Sequence, residues 1–361
     1  MPLTFGQSPT PSQFTEYLDA LFAQTLANYS KTLIDNIALS NALLFKIING
    51  SMYQPCDGGT YIAQPLMYAL GNADSYDGYD ELADGVVDGV TQALFEWRQC
   101  AAPISYSMKE MLLNRASATK IIDLVSTKVQ QGELGLQEYW AQALLWGSGA
   151  GALATPKVST VNGSSSIEPL AKLIHFTPSS SLDVGNINQS TYTWWRNNTK
   201  TAAATTYEAY LFEMDNMYNT CSRGTGGAPD LIMTDQVSYE LYVHAYFQKY
   251  RKAADDVPNF PFEAKKFKNA IIAWDEKMHD VFSGVTNADT YGTMYFFNTK
   301  FMRCRYHPDR NFEMLKNDDG KTFAKPLKGD SRLGHMAWMG NMTINNRRKF
   351  GVYGKIPRTL T

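Results

Sequence analysis

Apolar residues recur at spacings of three and four between Gln13 and Ile48: Phe14, Leu18, Leu21, Phe22 and Leu26, then Leu33, Ile34, Ile37, Leu43, Leu44, Ile47 and Ile48. That spacing is one face of an α-helix, and Gly50 ends it. A helix this long at the start of a chain has little of its own to pack on. It is expected to break once and to lie on a neighbouring molecule. From residue 51 to 106 the period changes. Gly58-Gly59 reads as a turn and Tyr61 to Leu66 as a strand, and apolar alternation returns at Ala93, Phe95 and Trp97 and continues to Ile104, Tyr106 and Met108. Between the arms, residues 71–89 hold five Asp and one Glu. Two strand-like arms with a long acidic tip describe an extended hairpin. A loop of that length is uncommon inside a compact domain, so the hairpin is expected to project and be covered by another chain.

Helical periodicity returns from Ser107 to Gln131. Ser107 and Glu110 have capping-box spacing, and Ile121, Ile122, Leu124, Val125 and Val129 form the apolar face. Gly132 and Gly135 are expected to interrupt this helix, with a second one over 136–146. Residues 147–166 are rich in Gly, Ser, Ala and Thr and read as a loop. Helices are expected over 206–221 and 236–252, separated by a Gly-rich turn at 222–228 and a buried-type strand at Leu231-Ile232-Met233. After Lys268 the pattern is of strands: 270–274, 292–298, 302–307, 335–341 with Ile344, and 350–353. No internal repeat is visible.

The 361 residues carry a formal net charge of −2, with 44% apolar, 19% charged and 13% aromatic residues. This composition excludes a disordered chain, a collagen-like repeat and a basic nucleic-acid coat. The many aromatics can fill a large core and still leave anchors for partner surfaces. Four cysteines, at 56, 100, 221 and 304, form no CxxC pair. They suit neither a disulfide framework nor a zinc site, and are expected to be free thiols in a reducing compartment. Neither a secretory signal nor an apolar membrane-spanning run is visible in the sequence.

Catalytic motifs are scarce. There is no phosphate-cradling G-x-x-x-x-G-K-[ST], and the glycine run Gly147 to Gly151 follows a helix, where a nucleotide loop would follow a strand. The five histidines, at 175, 244, 279, 307 and 335, make no metal-ligand spacing. The acidic cluster Asp74, Asp77, Asp80, Glu81, Asp84 and Asp88 lacks the calcium-loop pattern and reads as a solvated tip. Basic residues concentrate late, at Arg303, Arg305, Arg310, Arg347, Arg348, Lys349, Lys355 and Arg358. They suit subunit pairing, a solvated face or a phosphate-facing surface. No catalytic residue, cofactor site or metal site is assigned from the sequence.

Several segments, taken in order, carry a resemblance. They are Gly58-Gly59-Thr60-Tyr61-Ile62-Ala63-Gln64-Pro65-Leu66 with Ser75-Tyr76-Asp77-Gly78-Tyr79-Asp80; Phe95-Glu96-Trp97-Arg98-Gln99 with Ala102-Pro103-Ile104-Ser105; Asn186-Ile187-Asn188-Gln189-Ser190-Thr191 with Trp194-Trp195-Arg196-Asn197; Pro229-Asp230-Leu231-Ile232-Met233-Thr234; and Trp274-Asp275 with Gly292-Thr293-Met294-Tyr295-Phe296-Phe297-Asn298-Thr299-Lys300. Together they resemble the major capsid proteins of tailed bacteriophages, the Hong Kong 97 type. A 16-residue insert between Asp275 and Gly292 departs from the usual short turn there.

The resemblance implies an α+β fold with an N-arm (1–50), an extension loop (51–106), a peripheral domain with a long spine helix (107–165), an axial domain (166–301), return strands of the peripheral domain (302–347) and a C-terminal segment (348–361) that can rejoin the axial domain. It implies a non-enzymatic chain that assembles with itself into hexamers and pentamers around double-stranded DNA, with only non-specific contact to that DNA. Assembly in the host cytoplasm with a separate scaffolding protein, a portal protein and a decoration protein, and residence in the virion away from membranes, are part of the same expectation. A separate scaffold is expected because the resemblance begins within the first 50 residues with no charged coiled-coil-like segment before it, so the chain is expected to enter the shell at full length. Subunit-interface residues are expected at Phe14, Leu18 and Leu21 in the arm and at Tyr61, Leu66, Phe95 and Trp97 in the hairpin. The alternatives are an intracellular α/β enzyme with residues 71–89 as an acidic lid, which needs a convergent acid–base pair in a pocket, and a minor head or decoration protein.

Overall fold

The structure, a computed structural model, describes residues 43, 46–47, 51–71, 73, 75–78, 85, 88–110, 124–146, 167–250, 264–275, 278, 291–316, 323–324 and 329–360. The expected N-terminal helix thus lies almost wholly outside the described residues. Its described members Leu43, Lys46 and Ile47 are helical, with Leu43 and Ile47 buried four residues apart. The loop expected at 147–166 is also outside them.

Along the chain, strands β1 (Tyr53–Pro55), β2 (Ile62–Met67), β3 (Val90–Phe95) and β4 (Arg98–Ser107) come first, then helix α1 (Leu124–Trp146). Two short strands, β5 (Asp183–Val184) and β6 (Ile187–Asn188), precede β7 (Asn198–Thr201), α2 (Tyr207–Ser222), β8 (Leu231–Thr234) and α3 (Gln236–Tyr250). The chain ends in strands: β9 (Ala264–Phe267), β10 (Ala270–Trp274), β11 (Tyr291–Phe297), β12 (Met302–Tyr306), β13 (Glu313–Met314), β14 (Ser331–Ile344) and β15 (Gly351–Pro357). Two compact units divide it: described residues of 101–136 and 314–336 form one, and those of 39–100, 137–313 and 337–361 the other.

In the smaller unit the capping box is formed as read. The Ser107 amide donates to Glu110 Oε2 at 2.9 Å and the Glu110 amide to Ser107 Oγ at 3.1 Å, satisfying two amides that the first helical turn leaves without partners. Residues 111–123 lie outside the described residues, and α1 then runs unbroken through Gly132 and Gly135, where the sequence suggested an interruption. Packing overrides propensity at Gly132: a Cβ there would sit 2.6 Å from Ile104 Cγ1, so glycine admits the close approach of β4.

In the larger unit, β12 runs parallel to β1 and antiparallel to residues 340–344 of β14. β12 alternates as a half-buried strand should, Met302 and Cys304 inside and Arg303 and Arg305 half-exposed. An aromatic cluster lies nearby: Trp140 of α1 lies 6.3 Å from Tyr53, 5.8 Å from Phe312 and 5.3 Å from Trp338, all edge to face, and Tyr306 of β12 stacks on Tyr53.

A six-stranded mixed sheet, β7-β15-β11-β8-β10-β9, carries α2 and α3. Its central strand β8 is buried at every residue, which explains its unbroken apolar run. Thr206 caps α2, its Oγ1 accepting from the Ala209 amide, and Tyr210, Met214, Met217 and Cys221 recur at helical spacing against Ile232, Met294, Phe296 and Tyr353. Asp235 caps α3 and also accepts from Ser238 Oγ (2.8 Å), from the Thr293 amide (3.0 Å) and from Arg358.

Arg347 is buried just before β15. It donates to the carbonyls of Leu173 and Trp195 (both 2.9 Å), to Gln189 Oε1 (2.9 Å) and to Asn197 Oδ1 (3.0 Å), and its guanidinium lies over the Trp195 ring. Burial lowers its pKa to about 9, partly opposed by the Glu168 charge, so it stays charged at neutral pH. The four cysteines are free thiols.

Candidate subunit interface

Strands β2 and β3 form a two-stranded hairpin in strict antiparallel register, Ile62 opposite Phe95, Gln64 opposite Ala93, Leu66 opposite Thr91 and Met67 opposite Val90. Period-two alternation gives it two faces. The inner face, with Ile62, Leu66, Ala93 and Phe95, is buried within the chain. It rests on the β5–β6 turn, where the Leu94 amide donates to the Gly185 carbonyl at 3.0 Å. Gly185 has φ +60°, and a Cβ there would lie 2.8 Å from that of Ala93, so only glycine lets the turn approach so closely. Tyr68 extends the contact by stacking on Trp194 at 5.0 Å.

The outer face is unlike a solvated one. Met67 and Val90, an apolar cross-strand pair, are 73% and 68% exposed, and Leu70 and Tyr76 nearer the tip are 81% and 67% exposed. Contiguous apolar exposure of this kind marks an interaction surface. At the base, Gly58 and Gly59 take positive φ between β1 and β2, while only Glu96 and Trp97 separate β3 from β4. Trp97 ties the two sides together, its indole donating to the Gly59 carbonyl at 2.7 Å and meeting His307 edge to face. Asn341 Nδ2 holds the Glu96 carbonyl at 2.8 Å and Arg310 donates to Gln99 Oε1 at 2.9 Å.

These positions revise the residue-level expectations. Leu66 and Phe95, expected against a neighbour, are covered by their own chain, Phe95 lying against Gly185. Trp97 is a half-buried brace at the base, and Tyr61 remains 44% exposed. Phe14, Leu18 and Leu21 lie outside the described residues. The sequence reading missed Met67, Leu70 and Val90, since both faces of the hairpin are apolar and alternation alone does not say which one is sealed.

Other candidates disperse. Of the acidic tip, Asp77 and Asp88 are described; Asp74, Asp80, Glu81 and Asp84 lie outside, as do Gly147 to Gly151 and His279. His175 is buried with Nδ1 on the Thr177 backbone, and His307 sits beside Asp309. Arg347 and Lys349, expected on a charged surface, are turned inside, and Arg358 is paired with Asp235. Among the described residues no cluster of His, Cys, Asp and Glu suits a metal ion, and no helix is long and apolar enough to cross a membrane.

No family model and no curated protein matches the sequence. Solved structures do match the fold. The chain is similar to the capsid asymmetric unit of cyanophage A-1(L), with TM-score 0.63 and 14% identity over 92% of this chain and 97% of that one. It is also similar to a chain of Gordonia phage Cozz (TM-score 0.55, 12% identity, 97% and 98% covered) and to an encapsulin complex of Synechococcus elongatus (TM-score 0.54, 9% identity, 94% and 96% covered). The chain therefore has the α+β capsid fold of tailed phages.

Proposed function

We propose that this chain is a major capsid protein that assembles with itself into hexamers and pentamers of an icosahedral head enclosing double-stranded DNA. One observation carries the reading: in a chain with a capsid fold, the hairpin seals one face into its own body and leaves Met67, Leu70, Val90 and Tyr76 uncovered. Apolar area of that kind drives association when a neighbouring copy covers it. In this reading residues 1–50 are the N-arm, 51–106 the extension loop, 107–165 and 302–347 the peripheral domain, and 166–301 with 348–361 the axial domain. Phe14, Leu18, Leu21 and Tyr61 join the outer hairpin face at subunit contacts. A separate scaffolding protein, a portal and a decoration protein are the partners, and the role is structural, not catalytic.

Electron microscopy of the purified full chain, alone and with a co-expressed candidate scaffolding protein, tests this. Closed shells or hexamers and pentamers are expected. Monodisperse monomers under both conditions overturn the reading.

A further inference from the structure

The Gly-rich turn at 222–228 is organised from beneath. Lys349, 2% exposed, donates from Nζ to the carbonyls of Ser222 (3.3 Å), Arg223 (2.9 Å), Gly224 (3.1 Å) and Gly227 (3.2 Å). Asn298, equally buried, donates from Nδ2 to those of Gly226 (3.1 Å), Gly227 (3.4 Å) and Ala228 (3.1 Å). The turn's carbonyls thus converge on two buried donors. In a trans peptide the N–H points opposite to the C=O, and no peptide bond here is cis. The amides of Gly224, Thr225, Gly227 and Ala228 are consequently directed away from the core, and none has an acceptor among the described residues.

Residues 223–227 are exposed, so this array of amides faces solvent. The ammonium of Lys349 beneath it is met by carbonyl oxygens alone. Three exposed cations belong to the turn or adjoin residues that touch it: Arg223 in the turn, Arg348 adjacent in sequence to Lys349, and Lys300 adjacent to Phe301, whose ring fills the space where a Cβ of Gly226 would be. None of the three forms an ion pair among the described residues. Asp230, the carboxylate nearby, accepts from the Thr299 amide and hydroxyl. Outward amides over a buried positive charge make an anion-binding nest, and with no side chains at 224, 226 and 227 a tetrahedral oxyanion can reach them.

We propose that residues 222–228 form a phosphate site that seats the backbone of duplex DNA, with the four amides and Arg223 on one phosphate and Lys300 and Arg348 on its neighbours. The choice of DNA rests on the shell reading above; the anion site itself does not.

Unassembled full-length subunits are titrated with inorganic phosphate by calorimetry and with a labelled duplex by fluorescence anisotropy at several salt concentrations. Each phosphate contact adds about 0.9 to the log–log salt slope, so Arg223→Ala is expected to flatten it by about 0.9 and the triple variant with Lys300→Ala and Arg348→Ala by about 2.7. Thr225→Pro deletes one amide donor without altering charge, and is expected to weaken phosphate binding while the thermal melt stays that of wild type. Unchanged phosphate binding in Thr225→Pro overturns the nest. A Lys355→Ala variant losing as much DNA affinity as Arg223→Ala reduces the site to general charge and also overturns it. Phosphate binding without DNA binding, or displacement of DNA by a peptide of residues 71–89, overturns the DNA assignment. An absence of shells by microscopy removes the shell reading and leaves both titrations as they are.

Discussion

Replacing Met67 and Val90 together by aspartate puts two charges at the centre of the outward hairpin face while leaving the sealed face intact. Full burial of a Met, Leu or Val side chain contributes about 1.5–3 kcal/mol. Met67, Leu70 and Val90 keep 73%, 81% and 68% of their exposure in the single chain. Covering them is therefore worth about 1–2 kcal/mol each, or roughly 3–6 kcal/mol per contact. Ordering the hairpin offsets part of that gain, whereas burying an aspartate adds a penalty of its own. With 1.4 kcal/mol per factor of ten, the double variant is expected to weaken each contact by about a hundredfold or more. Sedimentation velocity and negative-stain microscopy at fixed subunit concentration read this as lost particles with folded subunits remaining. The reciprocal variants Leu66→Asp and Phe95→Asp, on the sealed face, are expected to yield misfolded subunits instead. Normal particle yield from folded Met67→Asp/Val90→Asp refutes the argument.

The two glycines of α1 should respond oppositely: Gly135→Ala, with open space at its Cβ, is expected to stabilise by about 0.5–1 kcal/mol, and Gly132→Val to destabilise by about 1–3 kcal/mol through collision with Ile104, both by urea unfolding of the subunit. Arg347→Met leaves the Leu173 and Trp195 carbonyls and Gln189 Oε1 without that donor, Asn197 Oδ1 keeping the His175 amide, and is expected to cost at least about 3 kcal/mol; a loss under about 1 kcal/mol contradicts the hub described for it. Burial pushes the Cys100 and Cys221 thiols up to about 12 and raises that of Cys304 further, so alkylation near neutral pH should label Cys56 first, with the other three reacting only on unfolding, as counted by mass spectrometry.

Local signals were legible and distant ones were not. Ser107 and Glu110 announce their capping box because both halves lie within one turn. The runs at 231–233, 270–274 and 292–298 become strands because each is buried by the sheet it reads for. The apparent break at Gly132 was a misreading, since glycine's helix penalty of about 1 kcal/mol is small beside the packing it permits on Ile104. Read from 335, β14 in fact begins at Ser331, where pairing extends it past the apolar residues. The hairpin's alternation was visible, but which face is sealed depends on Gly185, nearly ninety residues beyond β3. Arg347 and Lys349 looked like a charged surface because their acceptors at 173, 189, 195, 197 and 222–227 are more than a hundred residues away.

Strand β15 sits inside the six-stranded sheet, parallel to β7 on one side and antiparallel to β11 on the other. During synthesis, β7 and β11 emerge first and stay unjoined until residues 351–357 have left the ribosome. Completion of this layer is therefore delayed until late in translation, while the apolar hairpin face emerges early. A nascent chain thus exposes that face long before its own sheet is complete, and in the proposed shell a copy could be held by the hairpin before its late strand had closed the layer beneath.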